Sequence, residues 1–313
     1  MAWKVYKAIF EAKSPIHIGA QRIGMIQRTR HYIPAMSFWG ALTSRLTRAL
    51  YQSPESSDYQ NVGKFCHAHL LSSYFFPFSN ELAEGVLIPK YCKGKWVYGQ
   101  NTSEAKFEAR HLAGYGSTAI ESKSTAAEEA SLHEIQFILP RIRNEDVVMP
   151  VYFWGYLFAR EGEYCGCLRL ECEDDDILVS DRGEKVSISK LLGFVQVGGE
   201  RTYGYGRLAL MPDRFRQTIE KLWGIYAVKT SEERPQLTIP DENPIPAHLR
   251  IPNGDKCHIE GAIEAMVSRQ WKSDGGAGEH PTSFGACFVP GSIAGCETKT
   301  SVGCYGILKV KEG

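Results

Sequence analysis

Residues 197–207 read Val-Gly-Gly-Glu-Arg-Thr-Tyr-Gly-Tyr-Gly-Arg, with four glycines in the nine positions 198–206. Glycine admits positive φ and lets a second stretch of backbone come close. A loop needs that freedom to turn its N–H groups on a phosphate, so Gly198, Gly199, Gly204 and Gly206 are candidate phosphate-binding positions. Tyr203 and Tyr205 offer faces on which bases stack, and Arg201 and Arg207 add charge. The apolar segment 188–197 before the run and Leu208-Ala209-Leu210 after it predict helix, glycine loop, strand. A dinucleotide fingerprint has the opposite order, and no Gly-Lys-Ser/Thr follows as in a Walker loop. The competing reading is a plain tight turn between helix and strand.

A chain of 313 residues has room for about two domains. Its formal net charge is zero, so a nucleic-acid site has to come from local segregation of charge. No apolar run reaches bilayer-spanning length. The segment 1–6 begins directly as a strand, without a signal-peptide core. The expectation is a soluble, cytoplasmic protein with no membrane partner. Nine scattered cysteines, an odd number, are expected to be reduced thiols.

Charge is segregated most sharply near the start. From Ala12 to Pro54 there is no acidic residue, while Lys13, Arg22, Arg28, Arg30, Arg45, Arg48, His17 and His31 all lie there. Several arginines without carboxylates suit phosphates spaced along a strand. The alternative is a solvated basic face balanced by acids from elsewhere in the chain. Residues 3–12 read as a strand. The spacing of Phe38, Leu42, Leu46 and Leu50 predicts a helix over 36–50, with Ser37 as its N-cap.

Two of these motifs together resemble a known group. Ser14-Pro15-Ile16-His17-Ile18-Gly19 followed by residues 32–42, Tyr-Ile-Pro-Ala-Met-Ser-Phe-Trp-Gly-Ala-Leu, is similar to the opening of the RAMP superfamily, the RNA-binding proteins of CRISPR systems. That superfamily closes the same domain with a glycine-rich loop, which 198–206 matches. The resemblance implies an α+β fold with a ferredoxin-like (RRM-type) domain over 1–213. It also implies a thumb-like hairpin over about 111–140, where 118–120, 125–129 and 132–134 carry the likeness. The implied partners are CRISPR RNA and other effector subunits, including the large subunit and backbone subunits, with target RNA met indirectly.

The remainder of the chain says less. Phe65-Cys66-His67-Ala68-His69 has ligand-like spacing but lacks a second pair, and Cys165-Gly166-Cys167 has neither redox nor zinc spacing. No metal and no cofactor are expected. Residues 89–98 predict two strands around Lys93-Gly94-Lys95. The apolar run 150–160 predicts a buried strand with 164–170 as its hairpin partner. The acidic run 171–176 reads as a solvated turn, with a cation site or a dock for a basic partner as alternatives. Residues 214–256 read as a short helix over 215–228 and then a linker carrying five of the fifteen prolines. Residues 257–313 read as β-rich, with a degenerate second RRM-like unit as one form they could take.

The resemblance leaves several kinds of protein open. Target-cutting backbone members carry an aspartate in a Gly-x-x-Asp context; here the stretch is Gly24-Met25-Ile26-Gln27, and an amide cannot act as a general base. Repeat-processing ribonucleases use a histidine near the first helix, which would be His31 or His17. The favoured expectation is a non-catalytic subunit of a type III-like complex that caps the repeat-derived 5′ handle, because the chain continues well past the glycine loop. The alternatives are a backbone subunit and a scaffold that docks protein without RNA. The expected RNA contacts are Gly19, Arg22, Arg28, Arg30, His31, Ser37, Trp39 and Arg45, with the glycine loop and Arg207. Ala35 and Trp39 stand where the superfamily has glycine and lysine, so Trp39 would stack on a base or pack against a neighbour instead of meeting a phosphate.

Overall fold

Strand β1 (Lys4–Ala12) divides its side chains between two cores. Tyr6, Ala8, Phe10 and Ala12 face one, and Val5 faces the other. That is the period-2 alternation of a strand covered on both sides. The computed structural model describes residues 2–78, 85–118, 120, 132–218, 221–252, 258–270 and 280–311.

A hairpin of β2 (Gly19–Ile23) and β3 (Ile26–Thr29) follows, then the helices α1 (Ala35–Leu50) and α2 (Ser56–His69) and strand β4 (Leu70–Ser72). Helix α3 (Glu104–His111) leads into β5 (Leu112–Ser117), which pairs antiparallel with β6 (His133–Ile138). Strand β7 (Tyr152–Ala159), the short helix α4 (Ile188–Leu191), β8 (Val195–Gln196) and β9 (Arg207–Leu210) complete this part. The central sheet runs β8-β9-β1-β7-β4. Phe38, Leu42 and Leu46 of α1 cover the Phe10 face.

The opposite face carries the second core. Tyr156 and Phe158 of β7 pack there with side chains from the later chain. These come from the connecting segments and from a second sheet of β10 (Ala227–Lys229), β11 (Gln236–Ile239), β12 (Leu249–Arg250), β13 (Ile263–Gln270), β14 (His280–Phe288), β15 (Thr298–Val302) and β16 (Leu308–Val310). Its order is β10-β11-β15-β16-β12-β14-β13. A smaller sheet, β2-β3-β6-β5, stands beside the central one. No described helix is long and apolar enough to cross a membrane.

Several predicted elements stand as expected: β1, the helix after it, the strands Pro89–Cys92 and Lys95–Tyr98, and the buried strand β7. Others differ for identifiable reasons. Helix α1 starts one residue early, with Pro34 in extended conformation as N-cap, and Ser37 makes no cap hydrogen bond. Residues 164–170 do not pair with β7, whose neighbours are already β1, β4 and Phe76–Phe78. They join a separate four-stranded meander over 162–187. The helix expected over 188–197 ends at Leu191, ahead of Gly193, and Val195 pairs with Leu208. The glycine run is therefore the tip of a β8–β9 hairpin, not a link from helix to strand.

The helix expected over 215–228 is replaced by Arg216–Gln217 pairing with β1 and a tight bridge from Leu222 to Tyr226. Trp223 and Gly224 both have positive φ there, which no helix accommodates. The proline-rich stretch supplies β11 and β12 to the second sheet. Among the described residues, 214–311 holds strands and 3₁₀ turns but no α-helix, so the helical layer of a second RRM-like unit is missing there. Within the segment expected to form a thumb, β5 and β6 pair antiparallel. Residues 119 and 121–131 of that segment lie outside the described residues.

The glycines differ in what they do. Gly206 has φ +82, and a Cβ there would collide with the Val197 carbonyl oxygen. Gly204 has φ +85 but only the Arg207 side chain nearby, no closer than 3.7 Å. Gly204→Ala is expected to cost about 1–2 kcal/mol, the left-handed conformation alone. Gly206→Ala is expected to cost clearly more, through displacement of backbone. Urea unfolding of both variants checks this; equal losses would mean that the close approach at Gly206 carries no weight.

Candidate nucleic-acid interface

The glycine loop is locked to the segment that opens the chain. Gly199 N–H donates to the His17 carbonyl at 2.9 Å, and Gly206 N–H to the Pro15 carbonyl at 2.7 Å. Arg207 N–H donates to the Ser14 hydroxyl at 2.9 Å. Gly198, at φ +78, lies so close to the His17 carbonyl that a Cβ would clash. Gln196 stiffens the turn, its amide donating to the Arg201 and Tyr205 carbonyls at 3.0 and 2.7 Å. The two distant motifs of the sequence are thus one piece of structure.

His17 is part of that lock. It is buried, and its Nδ1 lies 2.7 Å from the Gln136 carbonyl of β6, which makes Nδ1 the donor. Its ring lies against Gly199, where a Cβ would approach Cδ2 to 3.1 Å. One residue further along β6, Phe137 packs edge-on against Tyr205 at 5.4 Å.

Beside the lock runs an open groove with a cavity volume of about 750 Å³. It brings together Gly19, Arg30, Ser37, Trp39, Gly198, Gly199 and Arg201, all expected contacts. Strand β13 of the second sheet forms one wall, through residues 265–268. Sequence reasoning missed this wall, and no short-range signal marks it, because it lies more than 200 residues from β2. The first turn of α1 also faces the groove, and the positive end of a helix favours anions.

The arginines divide into engaged and exposed groups. Arg30 makes a two-pronged pair with Glu264, at 2.7 and 3.1 Å, and donates to the Tyr32 hydroxyl at 3.2 Å. Arg28 pairs with Glu108 at 3.0 Å. For these two the acids do arrive from elsewhere in the chain. Arg45 lies over the Phe194 ring, 5.2 Å from its centroid, and burial together with Arg48 lowers its pKa. Arg22, Arg201 and Arg207 are exposed, and Tyr203 is 79% exposed. Tyr203, Arg22 and Arg207 do not line the groove. Trp39 packs face to face with His67 at 4.8 Å and edge-on with Tyr305 at 4.9 Å, which is the packing alternative.

His31 is not set up as a base near neutral pH. Its Nδ1 lies 2.6 Å from the Tyr98 hydroxyl, and its ring packs on Phe107 at 4.9 Å. Burial, with Arg28 and His111 adding to it, lowers its pKa to about 4. The Cys66–His69 stretch points in several directions: Cys66 into the core, His67 onto Trp39, and His69 to the Arg160 carbonyl. In the acidic run, Asp176 accepts from Ser187 and from the Ser189 N–H at the start of α4.

Glu264 gathers further partners that the sequence does not announce. His248, fully buried, donates from Nε2 to Glu264 and accepts at Nδ1 from the Tyr74 hydroxyl at 2.6 Å. Burial opposes the Glu264 charge, but His248 and Arg30 hold its pKa down, at about 2. This network joins the β3–α1 connection to the second sheet.

No protein-family model matches the chain, and neither does any curated protein. Among solved structures, it is similar to a chain of the type III-B Cmr-beta assembly bound to cognate target RNA and AMPPnP. That match has a TM-score of 0.50 at 10% identity and covers 92% of this chain and 85% of the other. A Cmr-beta structure bound to cognate target RNA gives 0.47 at 11% identity over 92% and 86%. Oligomeric Cmr4 from Pyrococcus furiosus gives 0.29 at 14% identity over 69% and 100%. These neighbours are RAMP-type subunits of type III-B CRISPR effectors. At such identities the first of them establishes a shared fold.

The buried histidines give stability a defined pH dependence. His67, like His31, is lowered to about 4, by burial and then by Arg234. Its two ring nitrogens are buried without a hydrogen-bond partner. Between about pH 6.5 and 4 the unfolded chain binds protons that the folded one refuses, so stability falls as pH falls. His67→Phe loses no hydrogen bond and removes one such group. It is expected to recover about 2 kcal/mol of the loss at pH 5, read from urea midpoints at pH 7.5 and 5.0. An unchanged pH slope would mean that His67 titrates normally.

Proposed function

We propose that this chain, with the fold of a type III-B effector subunit, is a non-catalytic RNA-binding subunit of a type III-like CRISPR complex that caps the repeat-derived 5′ handle. The observation that carries the reading is the groove in which Gly19, Ser37, Trp39, Gly198, Gly199 and Arg201 meet. An unpaired strand fits such a site, because its backbone can follow a positively charged groove while bases stack on aromatic faces. Arg201 supplies exposed charge at the groove, while Arg207 and Tyr203 add an exposed cation and ring on the same hairpin outside the groove lining.

The central sheet supports the same assignment. Strand order β9-β1-β7-β4, with α1 and α2 between β1 and β4 and α4 between β7 and β9, is compatible with a ferredoxin-like arrangement and supports that reading. Strand β13 favours a cap over a backbone position. It walls one side of the groove and belongs to the long C-terminal part that a cap would carry. The large subunit and the backbone subunits are the partners this position requires. The state of His31 and the buried, hydrogen-bonded His17 favour binding over cleavage.

Sequencing of RNA that co-purifies on co-expression with a CRISPR array and the neighbouring genes tests the reading. Fragments protected at their repeat-derived 5′ end are expected. Protection spread over the spacer would make the chain a backbone subunit, and uniform new ends made by this protein alone would make it a processing enzyme. No enriched RNA with a folded, assembled protein would leave a protein scaffold.

Salt dependence separates the two groups of arginines. Replacing Arg201 and Arg207 together by Ala is expected to lower the slope of log K against log salt by about 1.4, roughly 0.7 for each phosphate contact. Arg30→Ala is expected to leave that slope unchanged and to cost about 3 kcal/mol of stability, since Glu264 loses its cation. A flattened slope for Arg30→Ala would place Arg30 on RNA and not in the internal pair.

A further inference from the structure

A second cavity, of about 260 Å³, opens beside the groove, and the two share Ala20 and Arg30 as lining. Its walls are aromatic: Trp96, Tyr98 and Tyr32. Gln21, Arg28, Thr29, Arg30, His31 and Glu104 supply the polar groups. At just under the usual size of a small-molecule pocket, it suits one flat ring system and not an extended ligand.

The walls are built before any ligand arrives. Trp96 packs edge-on against Tyr91 at 5.2 Å. Gly291, at φ +96, lets the chain pass so close that a Cβ would come within 2.7 Å of the Trp96 ring. The Tyr91 N–H donates to the Gly291 carbonyl at 2.8 Å, which ties the Pro89–Tyr98 hairpin to the second sheet's loop. Tyr98 is stacked on Phe107 at 4.2 Å and held by His31. A fixed aromatic slot gives up little freedom when a ring enters.

Glu104, in the first turn of α3, has no hydrogen bond or ion pair among the described residues. Burial, and then Glu108, raise its pKa against the opposing Arg28 charge, so the carboxyl is short of direct hydrogen-bond donors. A ligand with two adjacent N–H donors on a flat aromatic edge would provide them. Among the nucleobases, guanine presents such a pair on its Watson–Crick edge.

We propose that this cavity, walled by Trp96, Tyr98 and Tyr32 with Glu104 as acceptor, receives a single guanine base. The base comes either from RNA lying in the adjoining groove or from a free guanine nucleotide. The RNA source rests on the function proposed above; the pocket itself does not.

The test uses the full chain and fluorescently labelled single-stranded U10, with one guanosine or one inosine walked along it. Guanosine at one position is expected to bind about tenfold tighter than uridine or inosine there, inosine lacking the second donor. Glu104→Gln is expected to abolish that preference while binding U10 with wild-type affinity and salt slope. A parallel titration with guanosine 5′-monophosphate reads tryptophan quenching, with Trp96→Phe removing the signal. Saturable quenching that Glu104→Gln abolishes, without a positional preference in RNA, would keep the pocket and assign it a free nucleotide. If no position prefers guanosine and the nucleotide does not quench, the pocket proposal falls. Binding of unmodified U10 reports separately on the groove, so the two readings fail independently.

Discussion

The pair between Arg30 and Glu264 is the contact on which this arrangement turns. A half-buried guanidinium and a half-buried carboxylate are each costly alone and tolerable together. Arg30 belongs to the basic N-terminal stretch and Glu264 to the second sheet, 234 residues apart. Their two hydrogen bonds, with His248 and Tyr74 behind them, anchor β13 next to the β3–α1 connection. The anchor sets the wall of the groove on one side of Arg30 and the aromatic cavity on the other. Two sites of different character therefore share one internal support.

The backbone lock between 14–17 and the glycine loop is the second constraint. It spends two loop N–H groups on internal carbonyls, at Gly199 and Gly206. The glycines thus serve two ends. Gly198 and Gly206 permit the close approach of chain to chain, and Gly204 shapes an exposed tip. A cradle made only for phosphate would not need the first pair. The hairpin tip that remains carries the exposed Arg201 and Tyr203.

Local pattern explains which elements were legible. The alternation in 3–12, the helical spacing of Phe38, Leu42 and Leu46, and the apolar run at β7 each have a periodicity that burial preserves. The failures sit where tertiary pairing overrides propensity. Residues 188–197 have an apolar helical look, yet Val195 is drawn into a strand by Leu208. Residues 164–170 have strand character, but the edges of β7 were already taken. The break at 223–224 depends on two positive φ angles, one at a tryptophan, which composition does not reveal.

By itself the sequence determined the residue types of the site: a glycine run, an acid-free basic stretch, and their order along the chain. Those are local properties, written in spacing and composition. Tertiary structure alone decided which basic residues face outward. Arg28 and Arg30 look equivalent to Arg22 and Arg201 in the sequence, but Glu108 and Glu264 reach them only after the chain has folded back. The aromatic cavity was equally invisible, since Tyr32, Tyr98 and Glu104 come from separate elements that packing brings together. Side-chain charge is encoded residue by residue, whereas its availability depends on partners that arrive across long sequence separations.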